Sequence, residues 1–165
     1  LWPKFEGFLL SFVVIGAFWI AHHLIFGLIE RSKPLLLWIN LLLLMCIVAL
    51  PFSTDLMSQY KGRISVVFYD INMIATSLSL LLLWWYASYR EKLVGEEVDA
   101  VIRKHLLLNY ISMAGIFALS TGVAFLHPRG SQYIYFLLIP NSMLLERIKR
   151  RELRRPAEEN RTISI

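Results

Sequence analysis

His22 and His23 are adjacent, and imidazole is the side chain best suited to bind a metal, carry haem iron or move a proton. They lie in a run from Gly7 to Ile29 that contains no Lys, Arg, Asp or Glu. Successive side chains on a helix diverge by about 100°, so the two rings cannot readily bind one metal ion. The pattern points instead to one histidine that hydrogen-bonds across a helix interface and one interfacial neighbour. A haem would need an axial histidine from a second helix; His105, at a helix end, is the residue at a similar level. That makes a haem- or quinone-binding membrane protein a lesser reading. Asn40 suits a hydrogen bond between helices. Asn72, Thr76 and Ser79 fall at i, i+4 and i+7, so they share one helix face. With Asp70, that stripe serves as interhelical glue or lines a polar path, the latter being what a secondary transporter would use. Asp70, placed near an external entrance, attracts cations or meets water. Cys46 is the sole cysteine and sits in an apolar run, so no disulfide framework exists. No P-loop, dinucleotide fingerprint, zinc-protease motif or serine elbow occurs, and the T-V-G-Y-G potassium filter is missing. No catalytic, cofactor-binding or metal-ligating residue is assigned, and the chain is not expected to be an enzyme.

These residues must be held by helices that meet lipid. Of 165 residues, 57% are hydrophobic and 18% charged, and the mean hydropathy is +0.57. Soluble domains carry about 25% charged residues, so this chain is too apolar for that class. Its charges cluster between long uncharged runs, the pattern set by a bilayer. The net charge of +5 does not imply a nucleic-acid partner, because the basic residues flank apolar spans and build no base-reading motif. The expected fold is all-α, a polytopic membrane helical bundle. Five spans are predicted, over about 7–29, 34–52, 64–89, 106–126 and 131–145. Pro34 suits a first helical turn. The fifth span, apolar from Tyr133 to Leu145 around Pro140, is short for a crossing of ~20 residues. Residues 90–105 are polar and amphipathic enough for a helical connector. Ala114, Ala118 and Gly122 recur every fourth residue, the mark of a close-packing face.

Lys and Arg set the direction of insertion. Arg31 and Lys33, then Arg90, Lys92, Arg103 and Lys104, then seven residues after Leu145 lie on one side, thirteen in all. The other side holds four: Lys4, Lys61, Arg63 and Arg129. The bias places the C-terminus in the cytoplasm. The membrane domain occupies residues 1–150 and a basic cytoplasmic tail 151–165, where the sequon Asn160-Arg161-Thr162 should stay unglycosylated. Five spans leave Leu1 outside, so a further helix is expected upstream, returning the N-terminus to the cytoplasm.

The stretch Phe18-Trp19-Ile20-Ala21-His22-His23, then Asn40-Leu41, then Leu50-Pro51-Phe52-Ser53-Thr54 resembles the transmembrane-protein-175-like potassium channels. A W-x-x-H-H element, an Asn early in the next helix and an L-P-F-[ST]-T helix end occur there together and in order. The resemblance is strongest over residues 1–60. It implies six helices per repeat and, with one repeat, the bacterial single-repeat type: a homotetramer in the plasma membrane that passes potassium. The family's first helix, with an Arg-x-x-x-Phe-Ser-Asp motif, lines the pore through apolar constrictions; that helix is not in this sequence. Phe52-Ser53-Thr54-Asp55 is similar in letters but sits at the wrong helix end to be that motif. By the same resemblance, Trp19, His22 or His23, and Asn40 form a network that supports the pore helix. Some relatives also conduct protons. No cofactor is implied beyond the permeant potassium ion.

Overall fold

The computed structural model describes residues 2–60, 62–96, 98–138, 140, 141 and 147. Four segments in it are long and apolar enough to cross a membrane: Ser11–Leu28, Pro34–Gln59, Arg63–Arg90 and Ala100–Ala124. They belong to α1 (Trp2–Leu28), α2 (Pro34–Val48) with α3 (Leu50–Gln59), α4 (Arg63–Trp85) and α5 (Ala100–Ala124). A short helix α6 (Pro128–Ser131) runs into a 3-10 turn, Gln132–Leu137. No strand forms among the described residues, so the fold is all-α and polytopic. The remainder of the fifth predicted span, residues 139 and 142–145, and the basic tail 151–165 lie outside the described residues.

Local chemistry sets most boundaries. Pro34 starts α2, where its missing N–H costs nothing and its fixed φ suits the first turn. Asp99 caps α5 by accepting a hydrogen bond from the Val101 amide at 3.1 Å. Two boundaries differ from expectation. The Leu50-Pro51-Phe52-Ser53-Thr54 motif is not a helix end: the chain bends at Ala49 and continues helically to Gln59, a single crossing of 26 residues. The 90–105 connector is helical only from Ala100; α4 closes in a π turn at Tyr86–Arg90, and residues 91–96, 98 and 99 are not helical.

That loop is held by partners a helix would have excluded. The Arg103 guanidinium donates to the carbonyls of Val98 (3.1 Å), Gly95 (3.1 Å) and Ser88 (3.5 Å). The Leu93 carbonyl accepts from the amides of Glu30 (3.0 Å) and Arg31 (3.4 Å), and the Gly95 amide donates to Leu28 (3.4 Å). Lys33 and Glu91 form an ion pair across the same clasp. Each partner favours the other's charged form, so Lys33 is raised above its ordinary 10.5 and Glu91 lowered beneath 4.5, the mutual hydrogen bond being the main cause.

α4 is the centre of the bundle. It packs along α5, α2 and α3, while α1 leans chiefly on α3. Lipid offers no hydrophobic drive between helices, so close fit and polar ties must hold them. The contact seam joins Phe18 and Ile25 of α1, Leu36 and Leu43 of α2, Leu80 and Trp84 of α4, and Phe117 of α5. The Ala114–Ala118–Gly122 repeat is not the close-packing face. Ala118 is exposed, and nothing lies within 4 Å of a methyl group placed on Gly122. α5 instead buries Ala114, Phe117, Ser120 and Ala124, because that arc faces α4.

Replacing Arg103 with Leu should strip three carbonyls of their donor and lower stability in detergent by on the order of 2 kcal/mol. Arg103→Lys should not restore it, since one ammonium cannot span the fork. For the ion pair the sign is set by Glu91. Its lowered value contributes stability that is present above its ordinary 4.5 and lost as pH falls through the lowered one. A pH titration of thermal unfolding should therefore place Glu91→Gln slightly below wild type at neutral pH, with the two curves converging in acid, so that the variant's acid limb is the flatter one.

Candidate functional site

The helical rotation between neighbours separates the two histidines. His22 turns toward α2 and is half-buried; its Nε2 lies 2.8 Å from Asn40 Oδ1, and its ring meets Phe26 at 4.5 Å. An amide oxygen only accepts, so Nε2 carries the proton and donates. His23 turns outward and stacks on Trp19, with ring centres 5.3 Å apart and planes 9° from parallel. Trp19 itself is 61% exposed. The four residues expected as one network are thus two pairs: His22 with Asn40 between helices, and Trp19 with His23 on the outer face of α1. Among the described residues no three His, Cys, Asp or Glu gather as metal ligands.

The α4 stripe faces the bend between α2 and α3. Thr76 is fully buried and its hydroxyl donates to the Asn72 carbonyl at 2.8 Å; Ser79 donates to the Ala75 carbonyl at 2.8 Å. Ser79 Oγ also lies 3.9 Å from Cys46 Sγ. The Asn72 amide is oriented by its neighbours: Nδ2 donates to the Cys46 carbonyl (3.2 Å), and Oδ1 accepts from Ser53 Oγ (3.0 Å) and the Leu50 amide (3.3 Å). All three residues therefore meet protein along this seam.

Asp70 corrects an expectation. It does not face water at an entrance: its side chain is fully buried. The Tyr135 hydroxyl donates to Oδ1 at 2.8 Å, and the Thr121 hydroxyl lies 3.3 Å from Oδ2. Rings of Tyr69, Phe117 and Tyr135 close around it, their centres 5.5 to 6.5 Å apart. The cause is the 3-10 turn Gln132–Leu137, which brings Tyr135 back over α4 from 65 positions along the chain. Sequence reasoning missed Thr121 and Tyr135 as partners, and also Asn141, which donates to Ser112 Oγ at 2.9 Å. The one signal for them was polar side chains within apolar runs. His105 is buried on α5.

Tyr135→Phe removes the shorter of the two bonds to a buried carboxylate. It should destabilise the protein by roughly 1–3 kcal/mol, whereas Asp70→Asn, which neutralises the group, should cost less. Unfolding curves of the two variants in the same detergent, with the costs reversed or equal, would contradict this placement.

Four apolar crossings joined by polar side-chain ties define a polytopic helical membrane protein. The family described as endosomal/lysosomal potassium channel TMEM175 matches residues 1–51, which include Trp19, His22, His23 and Asn40. A protein of Chamaesiphon minutus named as a potassium channel is 30% identical over 158 residues, covering 86% of this chain and 75% of its own length. One of Streptomyces collinus with the same name is 29% identical over 129 residues, covering 75% of this chain. A third, from a Chryseobacterium species, is 24% identical over 153 residues. The chain belongs to the TMEM175 potassium-channel family. Its matched region spans 63% of the Streptomyces relative's length. No solved structure matches it.

Proposed function

We propose that the chain is a subunit of a potassium-selective cation channel, passing ions passively through a homotetrameric pore with apolar constrictions. The observation that carries this reading is the His22–Asn40 bond within the family-matched region, together with relatives that bear the name potassium channel. The His22–Asn40 bond ties α1 to α2. Trp19 and His23 stand on the exposed side of α1 beside Phe12 and Ile20, ready to pack against a pore-forming helix or a neighbouring subunit. Exposed apolar side chains on both helices, Trp38 and Met45 among them, fit lipid or subunit contact. The α1–α2 and α4–α5 connections, flanked by Arg31, Lys33, Arg90, Arg103 and Lys104, face the cytoplasm in this reading, and the membrane is the bacterial plasma membrane. Ions cross partly dehydrated, driven by their electrochemical gradient, while the two pairs on α1 and α2 hold the wall of the path in place.

Ion flux from liposomes holding the complete protein tests the reading. Potassium-favouring flux that does not saturate, against sodium and caesium gradients, is expected. Saturable, gradient-coupled flux would move the protein to the transporters, and no flux from a well-folded oligomer would overturn conduction. Asn40→Leu leaves the His22 donor without its acceptor in a low-dielectric setting, a loss of roughly 1–3 kcal/mol. The variant should show reduced assembly on size exclusion or reduced potassium current. Wild-type values for both would remove His22 and Asn40 from the supporting role.

A further inference from the structure

The bend inside the second crossing carries an inference that does not rest on ion conduction. Pro51 has no N–H, and its ring crowds the carbonyl one turn earlier, so the helical ladder opens around it. Ala49 adopts φ −76° and ψ −12°, and its amide returns to Met45 at 3.2 Å. About 15 residues of helix precede it, placing the break roughly 22 Å into the bilayer crossing. Water cannot satisfy backbone groups at that depth; irregular backbone survives there only where protein supplies the partners. Ser53 and Thr54 cover the Leu50 carbonyl from within the chain, each hydroxyl 2.9 Å away. The Leu50 amide and the Cys46 carbonyl are covered from another helix, by the two ends of one side-chain amide on Asn72.

We infer that Asn72 is a positioning residue that replaces an opened helical hydrogen bond and fixes the angle between α2 and α3. In an unbroken helix the Leu50 amide would donate to the Cys46 carbonyl, four residues earlier. Asn72 accepts from the first and donates to the second, so it spans the gap as an inserted peptide group would. Ser79, two turns along α4, touches Cys46 beneath the same bend. Since α1 leans on α3, the angle set at the bend also sets where α1 stands against the bundle. Asparagine carries a donor and an acceptor on two separate atoms of one short planar group; Leu has neither, an ionised Asp has no donor, and Thr places both on a single oxygen that cannot span the gap.

Cys46 is the chain's single cysteine and is buried at this bend, so it reports on the bend directly. The test is the alkylation rate of the Cys46-containing peptide by N-ethylmaleimide, followed by mass spectrometry, in the folded, detergent-solubilised complete protein, for wild type, Asn72→Leu, Pro51→Ala and the double variant. Asn72→Leu should raise the rate about tenfold and lower the melting temperature by on the order of 5 °C. Pro51→Ala restores a backbone donor at the break, so adding Asn72→Leu to it should have less than about half of either effect. Equal rates in wild type and Asn72→Leu, including no labelling in either, would overturn the inference. So would an effect of Asn72→Leu that is undiminished beside Pro51→Ala, which marks a general packing role. If Asn72→Leu alone fails to fold, a double variant that recovers a monodisperse oligomer supports the inference, and one that fails equally refutes it.

Discussion

A backbone in hydrocarbon has no water to fall back on, and every polar group must find its partner inside the protein. That constraint explains why α4 sits at the centre. Its polar side chains are not scattered along the helix. Asp70 faces the turn that follows α5, while Asn72 faces the bend between α2 and α3, two positions away in sequence and on another side of the helix. Thr76 and Ser77 return their hydroxyls to α4 itself. The helix with the most buried surface is therefore the one that ties its neighbours together, and its polar groups are the ties.

The same constraint sorts the two ends of the bundle. Where loops 29–33 and 91–99 meet, charged groups and backbone amides do the joining: Arg103 gathers three carbonyls, and Lys33 pairs with Glu91. Water and headgroups can reach this region, so a clasp of hydrogen bonds costs little to assemble there. At the opposite end the joining is apolar and aromatic, with Arg63 held over the Phe125 ring at 5.6 Å and Phe52 set edge-on against Phe68. Cations near an aromatic face keep part of their solvation while meeting the negative ring surface.

The functional reading depends on how α1 divides its own surface. One face gives His22 to Asn40 and Phe18 and Ile25 to the seam; the other carries Trp19, His23 and a row of exposed apolar side chains. In the proposed channel, that outer face is the surface against which a pore helix or another subunit would pack.

Composition and charge spacing alone determined that the chain is helical and crosses a membrane, because both follow from hydrophobic length and from where charges can lie relative to lipid. The four long crossings were legible for the same reason, as was the need of a histidine and of Asn40 for partners across a helix interface; that the two belong together came only from the family resemblance. Which histidine faces inward was not legible, since adjacent positions differ only by helix rotation and the choice depends on where α2 stands. Tertiary structure alone buried Asp70, by folding Tyr135 over it from far along the chain. It also turned the Leu50-Pro51 motif from an ending into a bend. A proline ends a helix unless a distant group repairs the broken bonds, and no local pattern around Pro51 announces Asn72 on the next crossing.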